Sequence, residues 1–208
     1  MGLGSLLLVN NYYLYKNMMN KKLFGVSFAQ KKYDLALKYC QPAADQGDPE
    51  AQYYLGLMYE MGFGLKQDYF KAFELYKKAA EQGIAKAQYN LGVMYDNGLG
   101  IKQDFFKAFE WYQKAAEQGI AEAQCNLGSM YADGQGVKQD YFKAFEWWGK
   151  AAENGNADAQ CCLGGLYIKG HGVKQDLDNA IKWFEKAAEQ GHAEATEFLA
   201  DINSMLNG

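Results

Sequence analysis

The residue types that most often carry chemistry are thinly spread along this chain. His171 and His192 are its only imidazoles, and neither belongs to an H-E-x-x-H or comparable metal-binding spacing. His171 shares its place with Phe63, Leu99 and Gln135 at intervals of 36 residues, so it reads as an exposed loop residue and not as a ligand. Ser5, Ser27, Ser129 and Ser204 are the only serines, and none begins an S-x-x-K or sits inside a G-x-S-x-G, the settings that activate a serine nucleophile. The four cysteines, Cys40, Cys125, Cys161 and Cys162, form no C-x-x-C pair. Cys125 and Cys161 occupy one column of neighbouring units, which places equivalent atoms roughly 10 Å apart, beyond disulfide reach. Free thiols are expected, and they favour a reducing compartment. Gly98-Leu99-Gly100 and its copies lack a following G-K-S/T, so they are turns and not phosphate cradles. Carboxylates are plentiful but fall at helix starts or on solvated faces. No catalytic residue, metal site or cofactor is predicted.

All of these residues ride on one period. Gly47, Gly83, Gly119, Gly155 and Gly191 stand 36 residues apart, as do Leu55, Leu91, Leu127, Leu163 and Leu199. One supersecondary unit recurring at that interval is the mark of a solenoid, in which each unit buries its apolar face only against its neighbours. The predicted class is all-α, a solenoid of helix-turn-helix units. With 208 residues and a formal net charge of -4, the chain can bury a sizeable core and is not basic enough for nucleic acid to be its main ligand. It contains no apolar stretch approaching the ~20 residues that span a bilayer.

Residues 1–29 fall outside the period. They are read as an apolar N-terminal cap built on Tyr12, Tyr13, Leu14, Tyr15, Met18, Leu23 and Phe24, or as a degenerate targeting segment. The order Met19, Asn20, Lys21, Lys22, then Leu23 to Ala29, has the charge, apolar core and small-residue end of a short signal. That start points outward, whereas the thiols favour the cytoplasm. Residues 30–46 read as a half unit, 47–82, 83–118, 119–154 and 155–190 as full units, and 191–208 as a last first-helix. Within a unit the first helix is predicted from about residue 49 to 61, capped by Asp48 with Pro49 at the first position. The second helix starts after Asp68, Asp104, Asp140 or Asp176 and ends at the next Gly of the ladder. Ala51, Gly56, Ala72, Ala79, Ala80 and their copies let helices approach, with Leu55, Tyr59, Phe73 and Tyr76 filling behind them. Three of Trp111, Trp147, Trp148 and Trp183 share a column of the second helix, which assigns them to packing. Glu110 with Lys114 and Glu146 with Lys150 are expected as i,i+4 pairs. Lys66, Lys102, Lys138 and Lys174 form a solvated edge, offset by the acidic caps two residues later.

The string A-x-A-Q-x-x-L-G-x-x-Y-x-x-G-x-G-V-x-Q-D followed by A-x-x-W-W/Y/F-x-K-A-A-E-x-G, as in Ala121 to Gly155, closely resembles the Sel-one-like repeat (SLR) family, relatives of the tetratricopeptide repeats. The resemblance covers roughly residues 30 to 200. It implies a right-handed α-solenoid that acts as a protein-binding scaffold or adaptor, often bacterial and often in complex assembly, signalling or host interaction. It also implies a concave face lined by the first helices. Mapped here, the partner-binding positions are Tyr53, Leu57, Glu60 and Met61; Tyr89, Val93, Asp96 and Asn97; Cys125, Ser129, Ala132 and Asp133; and Cys161, Gly165, Ile168 and Lys169. The N-terminal half of this surface is apolar and acidic, suited to an extended or helical segment with apolar anchors and basic residues; the C-terminal half is expected to be smaller and more neutral. The partner is another protein, with no nucleic acid and no small-molecule substrate. Two alternatives stand beside this non-enzymatic reading. Some cysteine-rich relatives are linked to penicillin binding or hydrolysis, although they carry a cysteine pair in every repeat where this chain has Ala80, Ala116, Ala152 and Ala188. Self-association is the other, with the N-terminal segment docking into a second copy.

Overall fold

Asp68, Asp104, Asp140 and Asp176 each start a helix in the computed structural model, which describes residues 32–207 and the side chains up to residue 204. Their carboxylates accept the backbone N–H groups of Lys71, Lys107, Lys143 and Asn179 at 3.0–3.1 Å. These are N-terminal donors that no helix can satisfy internally. Asp48 does the same for Ala51 and Asn156 for Ala159. At the other end, the Gly83 and Ile84 amides return to the carbonyls of Ala80 and Ala79, with Gly83 at φ +93°. A left-handed turn of this kind is cheap only for glycine. The helices among the described residues are α1 (Tyr33–Asp45), α2 (Pro49–Met61), α3 (Tyr69–Glu81), α4 (Ala85–Asn97), α5 (Phe105–Glu117), α6 (Ala121–Asp133), α7 (Tyr141–Glu153), α8 (Ala157–Lys169), α9 (Leu177–Glu189) and α10 (Ala193–Asn207). The predicted starts, stops and capping residues hold. α1 forms despite Pro42 in its interior. The expected N-terminal cap at residues 1–29 lies outside the described residues.

Two units divide the chain, residues 1–102 and 103–208. In the first, α1 packs on α2, α2 on α3 and α3 on α4; in the second, α5 through α10 pack each on the next. Both use the same joints. Within a hairpin, an aromatic side chain of the second helix lies against a glycine of the first. A methyl group built on Gly56 would stand 2.8 Å from the Tyr76 ring, and one on Gly128 or Gly164 would stand 2.6 Å from Trp148 or Phe184. Between hairpins, an aromatic pair meets edge to face: Phe73 with Tyr95 in the first unit, Phe109 with Tyr131 and Phe145 with Tyr167 in the second, at 5.4–5.6 Å. The inter-helix turn closes on the preceding hairpin as well. In the first unit a methyl on Gly100, at φ +71°, would lie 2.6 Å from the Tyr69 carbonyl carbon.

A buried amide ladder joins one repeat to the next. Gln52, Gln88, Gln124 and Gln160 are only 4–5% exposed. Their Nε2 atoms donate to the carbonyls of Ala44, Ala80, Ala116 and Ala152, near the C-terminus of the preceding helix. The Oε1 atoms of Gln52, Gln124 and Gln160 accept from the side chain that ends the next helix: Gln82 on Gln52, Asn154 on Gln124 and Gln190 on Gln160. Gln52, Gln124 and Gln160 are thus satisfied from both sides, which is what allows such an amide to be buried at all.

The tryptophans divide. Trp148 is 7% exposed and packs as expected. Trp111, Trp147 and Trp183 are half-buried, and the ammonium groups of Lys114, Lys150 and Lys186 lie 4.0, 3.9 and 4.1 Å from their ring centroids. Lys114 and Lys150, expected on Glu110 and Glu146, instead cover indole faces on the solvent side.

Candidate functional site

The positions assigned to partner binding are best followed unit by unit. In the first unit, the Tyr53 ring sits edge-on to Tyr54 at 5.1 Å and tilted against Tyr76 at 5.9 Å. Glu60 accepts the Tyr76 hydroxyl. Burial, with the Glu60 carboxylate second, pushes the Tyr76 phenol far above the ordinary tyrosine range, and burial, then Tyr54 and Glu60, raises Tyr53. Both therefore stay neutral hydroxyls, and Glu60 is committed to its own hairpin. Leu57, Tyr89, Val93 and Asp96 are half-buried, Met61 is 51% exposed, and the exposed Asn97 turns its amide back to the Val93 carbonyl at 3.0 Å.

In the second unit a groove of about 630 Å³ opens among α6, α7, α8, α9 and α10. It brings together Ala132, Asp133, Cys161, Gly165, Ile168 and Lys169 from the assigned positions. Cys125 does not reach it; this thiol is 7% exposed. Ser129 turns its hydroxyl to the Cys125 carbonyl at 3.2 Å. The expectation of a small, neutral C-terminal half fails here. Trp148, Leu166, Leu177 and Phe184 also line the groove, with Phe198 and Ile202 of α10 beside them. Phe198 remains 40% exposed although its ring stacks on Phe184 at 5.0 Å. Trp148 is held in place because its Nε1–H donates to the Cys125 carbonyl at 3.0 Å. His171, exposed as expected, packs its ring on Tyr141 at 4.5 Å at the rim. The charged groups on the wall are Asp133, Glu194 and Asp201 against Lys169, an excess of carboxylates.

The sequence reading missed two sets of residues. The apolar wall from α9 and α10, Leu177, Phe184, Phe198 and Ile202, is not legible in the first-helix columns. The second set is a cluster of ligand-type atoms: those of Cys161, His192 and Glu194 all lie within 4.8 Å of one another. His192 is the N-cap of α10, its Nδ1 accepting the Ala195 N–H at 3.2 Å, while Nε2 faces the Asp158 carboxylate at 3.2 Å. The donors come from a D-x-x-C turn of α8 and the H-x-E start of α10, so no single-segment metal spacing announces them.

The cysteines are free, as expected. Burial above all pushes the thiols of Cys40, Cys125 and Cys162 to about 12 and that of Cys161 to about 11, with carboxylates as a further cause in each. A thiol in such surroundings is neither a thiolate nucleophile at neutral pH nor prone to exchange.

Comparison with known proteins places this arrangement. Against solved structures, a Sel1 repeat protein from Oxalobacter formigenes matches with 38% identity over 89% of this chain and 72% of that one, at a TM-score of 0.82. A protective antigen of uropathogenic Escherichia coli with an SLR fold matches with 42% identity and a TM-score of 0.78 over 81% of this chain, which spans 36% of that protein. Cysteine-rich protein B of Helicobacter pylori matches with 30% identity over 64% of this chain and 96% of that one, at a TM-score of 0.52. A search of curated proteins returns no match. The Sel1 repeat model matches residues 23–48, 49–84, 85–120, 121–156 and 157–192 in succession. The chain is a member of the Sel1-repeat family, whose helical solenoids typically serve as protein-interaction scaffolds.

Proposed function

We propose that this protein is a non-enzymatic adaptor and that the groove of its second unit holds an apolar, basic-flanked segment of another protein. The observation that supports this reading is the groove itself: an aromatic and aliphatic wall from α8, α9 and α10 with carboxylates of Asp133, Glu194 and Asp201 at its edges. A helical or extended segment with apolar anchors and lysine or arginine beside them matches that chemistry. In the first unit, taken by itself, Tyr53, Leu57, Met61, Tyr89, Val93 and Asp96 form a second candidate contact surface, with Glu60 acting through Tyr76 and not as a free charge. Catalysis finds less support. A thiol with a pKa of about 11 is ionised in roughly one molecule in ten thousand at neutral pH.

Gly165→Leu tests the reading. A methyl group at Gly165 meets nothing within 4 Å, so the larger side chain extends into the groove and not into the core. Leucine already stands at the corresponding position of α2, as Leu57. The variant is expected to keep its helicity and thermal midpoint while losing about tenfold or more of its affinity for any protein the parent captures. Equal capture by a folded Gly165→Leu protein would refute the groove as the binding site, and turnover of a β-lactam by the purified parent would refute the non-enzymatic assignment.

A further inference from the structure

The cluster at the start of α10 shares Cys161 and Glu194 with the groove wall, but what it can hold rests on ligand geometry and not on which segment the groove binds. Asp158 and Cys161 lie one turn apart on α8, and His192 and Glu194 open α10. A thiol, an imidazole and a carboxylate already have their ligand atoms within 4.8 Å of one another, and a second carboxylate stands 3.2 Å from His192 Nε2. Two donors on ~2.0–2.1 Å bonds at the tetrahedral angle are separated by roughly that distance, about 3.3 Å. We propose that Cys161, His192 and Glu194, whose ligand atoms converge, form a binding site for a borderline divalent cation of the Zn²⁺ type, with Asp158 beside the imidazole closing the fourth position. Sulfur and nitrogen donors exclude Ca²⁺ and Mg²⁺, which want oxygen alone, and the mixed S, N, O set suits tetrahedral Zn²⁺ or Co²⁺.

The proton balance is simple. The Ala195 N–H on Nδ1 leaves the ring proton on Nε2, where Asp158 accepts it. When the ion takes Nε2, that proton moves to Nδ1 and the capping bond from Ala195 is given up. The thiol of Cys161 loses its proton to solvent, one per ion bound. Burial first, and then the carboxylates of Glu194 and Asp158, hold the thiol protonated; once the ion is bound its charge offsets both. Bound there, the cation ties α8 to the first turn of α10.

The test is a Co²⁺ titration of the full reduced chain under anaerobic conditions, followed by displacement with Zn²⁺. The expected result is one equivalent bound, with a thiolate-to-cobalt charge-transfer band and a rise in thermal midpoint on adding Zn²⁺. Cys162→Ser should keep the band, Cys161→Ser should abolish it, and the exposed Glu194→Gln should weaken binding by more than the about 10–100-fold that outer-shell changes cost. Absence of the band in the parent, its survival in Cys161→Ser, or its loss in Cys162→Ser with Cys161→Ser unaffected would each overturn the proposal.

Discussion

Replacing Gly128 by Ala probes the close helix approach that the Gly56, Gly128 and Gly164 hairpins share. A methyl carbon at Gly128 would lie 2.6 Å from Trp148 Cδ1, 2.7 Å from Nε1 and 2.8 Å from Cγ. Comfortable carbon contacts need roughly 3.5–4.0 Å, so the ring must retreat by about 1 Å. It is not free to do so, because its Nε1–H is spent on the Cys125 carbonyl and the ring is 7% exposed. Overpacking of this kind costs ~1–3 kcal/mol. The stretched hydrogen bond adds ~1 kcal/mol. Helix propensity returns ~1 kcal/mol for Gly to Ala. The net expectation is a loss of ~1–3 kcal/mol. Gly149 of α7 supplies the matched control, since a methyl group there meets nothing within 4 Å. Gly149→Ala should therefore show propensity alone and gain ~0.5–1 kcal/mol. Urea unfolding followed by circular dichroism measures both, compared at unchanged slope because stacked repeats unfold as coupled neighbours. If Gly128→Ala is stabilised as much as Gly149→Ala, the close-approach reasoning is refuted.

Two more predictions concern the polar frame. Gln124→Leu should lower stability by ~1–3 kcal/mol, because the Ala116 carbonyl and the Asn154 amide lose their buried partner. The exposed Gln113→Leu is the control, and equal urea midpoints for the two would sink the assignment of the ladder as an inter-repeat joint. Asp104 and Asp176 carry carboxyls held below the usual value of 3.8, chiefly by the backbone N–H groups of Lys107 and Asn179. The unfolded chain then binds more protons than the folded one, so the caps contribute fully above the unfolded value and fade as pH falls through the lower folded value. Asp104→Asn with Asp176→Asn still caps but does not titrate, and its thermal midpoint should fall less steeply than the parent's below about pH 4. Parallel falls in parent and double variant would contradict the sign.

Much of the fold is written in residue types whose physical role is local. Aspartate before a helix, glycine after one and proline at a first position act through their own backbone neighbours, so Asp48, Pro49, Asp68 and Gly83 mark boundaries without knowledge of the fold. Roles set across helices are less legible. Gln52 and its copies look like ordinary surface amides in the string A-x-A-Q, and only the carbonyl eight residues back, together with the amide thirty residues on, explains their burial. The tryptophan column shows the same limit. Its regular spacing says that Trp111, Trp147 and Trp183 share an environment but not which one, and the lysine three residues on settles it on the solvent side.

The second unit's groove is hard to read from sequence for a reason that bears on how such a surface diversifies. Along the first helices one column runs Tyr53, Tyr89, Cys125, Cys161, and another runs Leu57, Val93, Ser129, Gly165. Large side chains read as anchors and small ones as a featureless end. In the second unit the small ones create the space: Cys161 and Gly165 leave room on α8, and Phe184, Phe198 and Ile202 wall it. Two adjacent glycines separate the duties. A methyl group at Gly164 would strike the Phe184 ring at 2.6 Å, whereas one at Gly165 meets nothing within 4 Å. Gly164 therefore belongs to the frame, where any added carbon disturbs hairpin packing, and Gly165 to the groove, where side chains can change at little cost in stability. A repeat that keeps its frame columns constant while its groove columns vary can change what it binds without refolding, since the two sets draw on different faces of one helix.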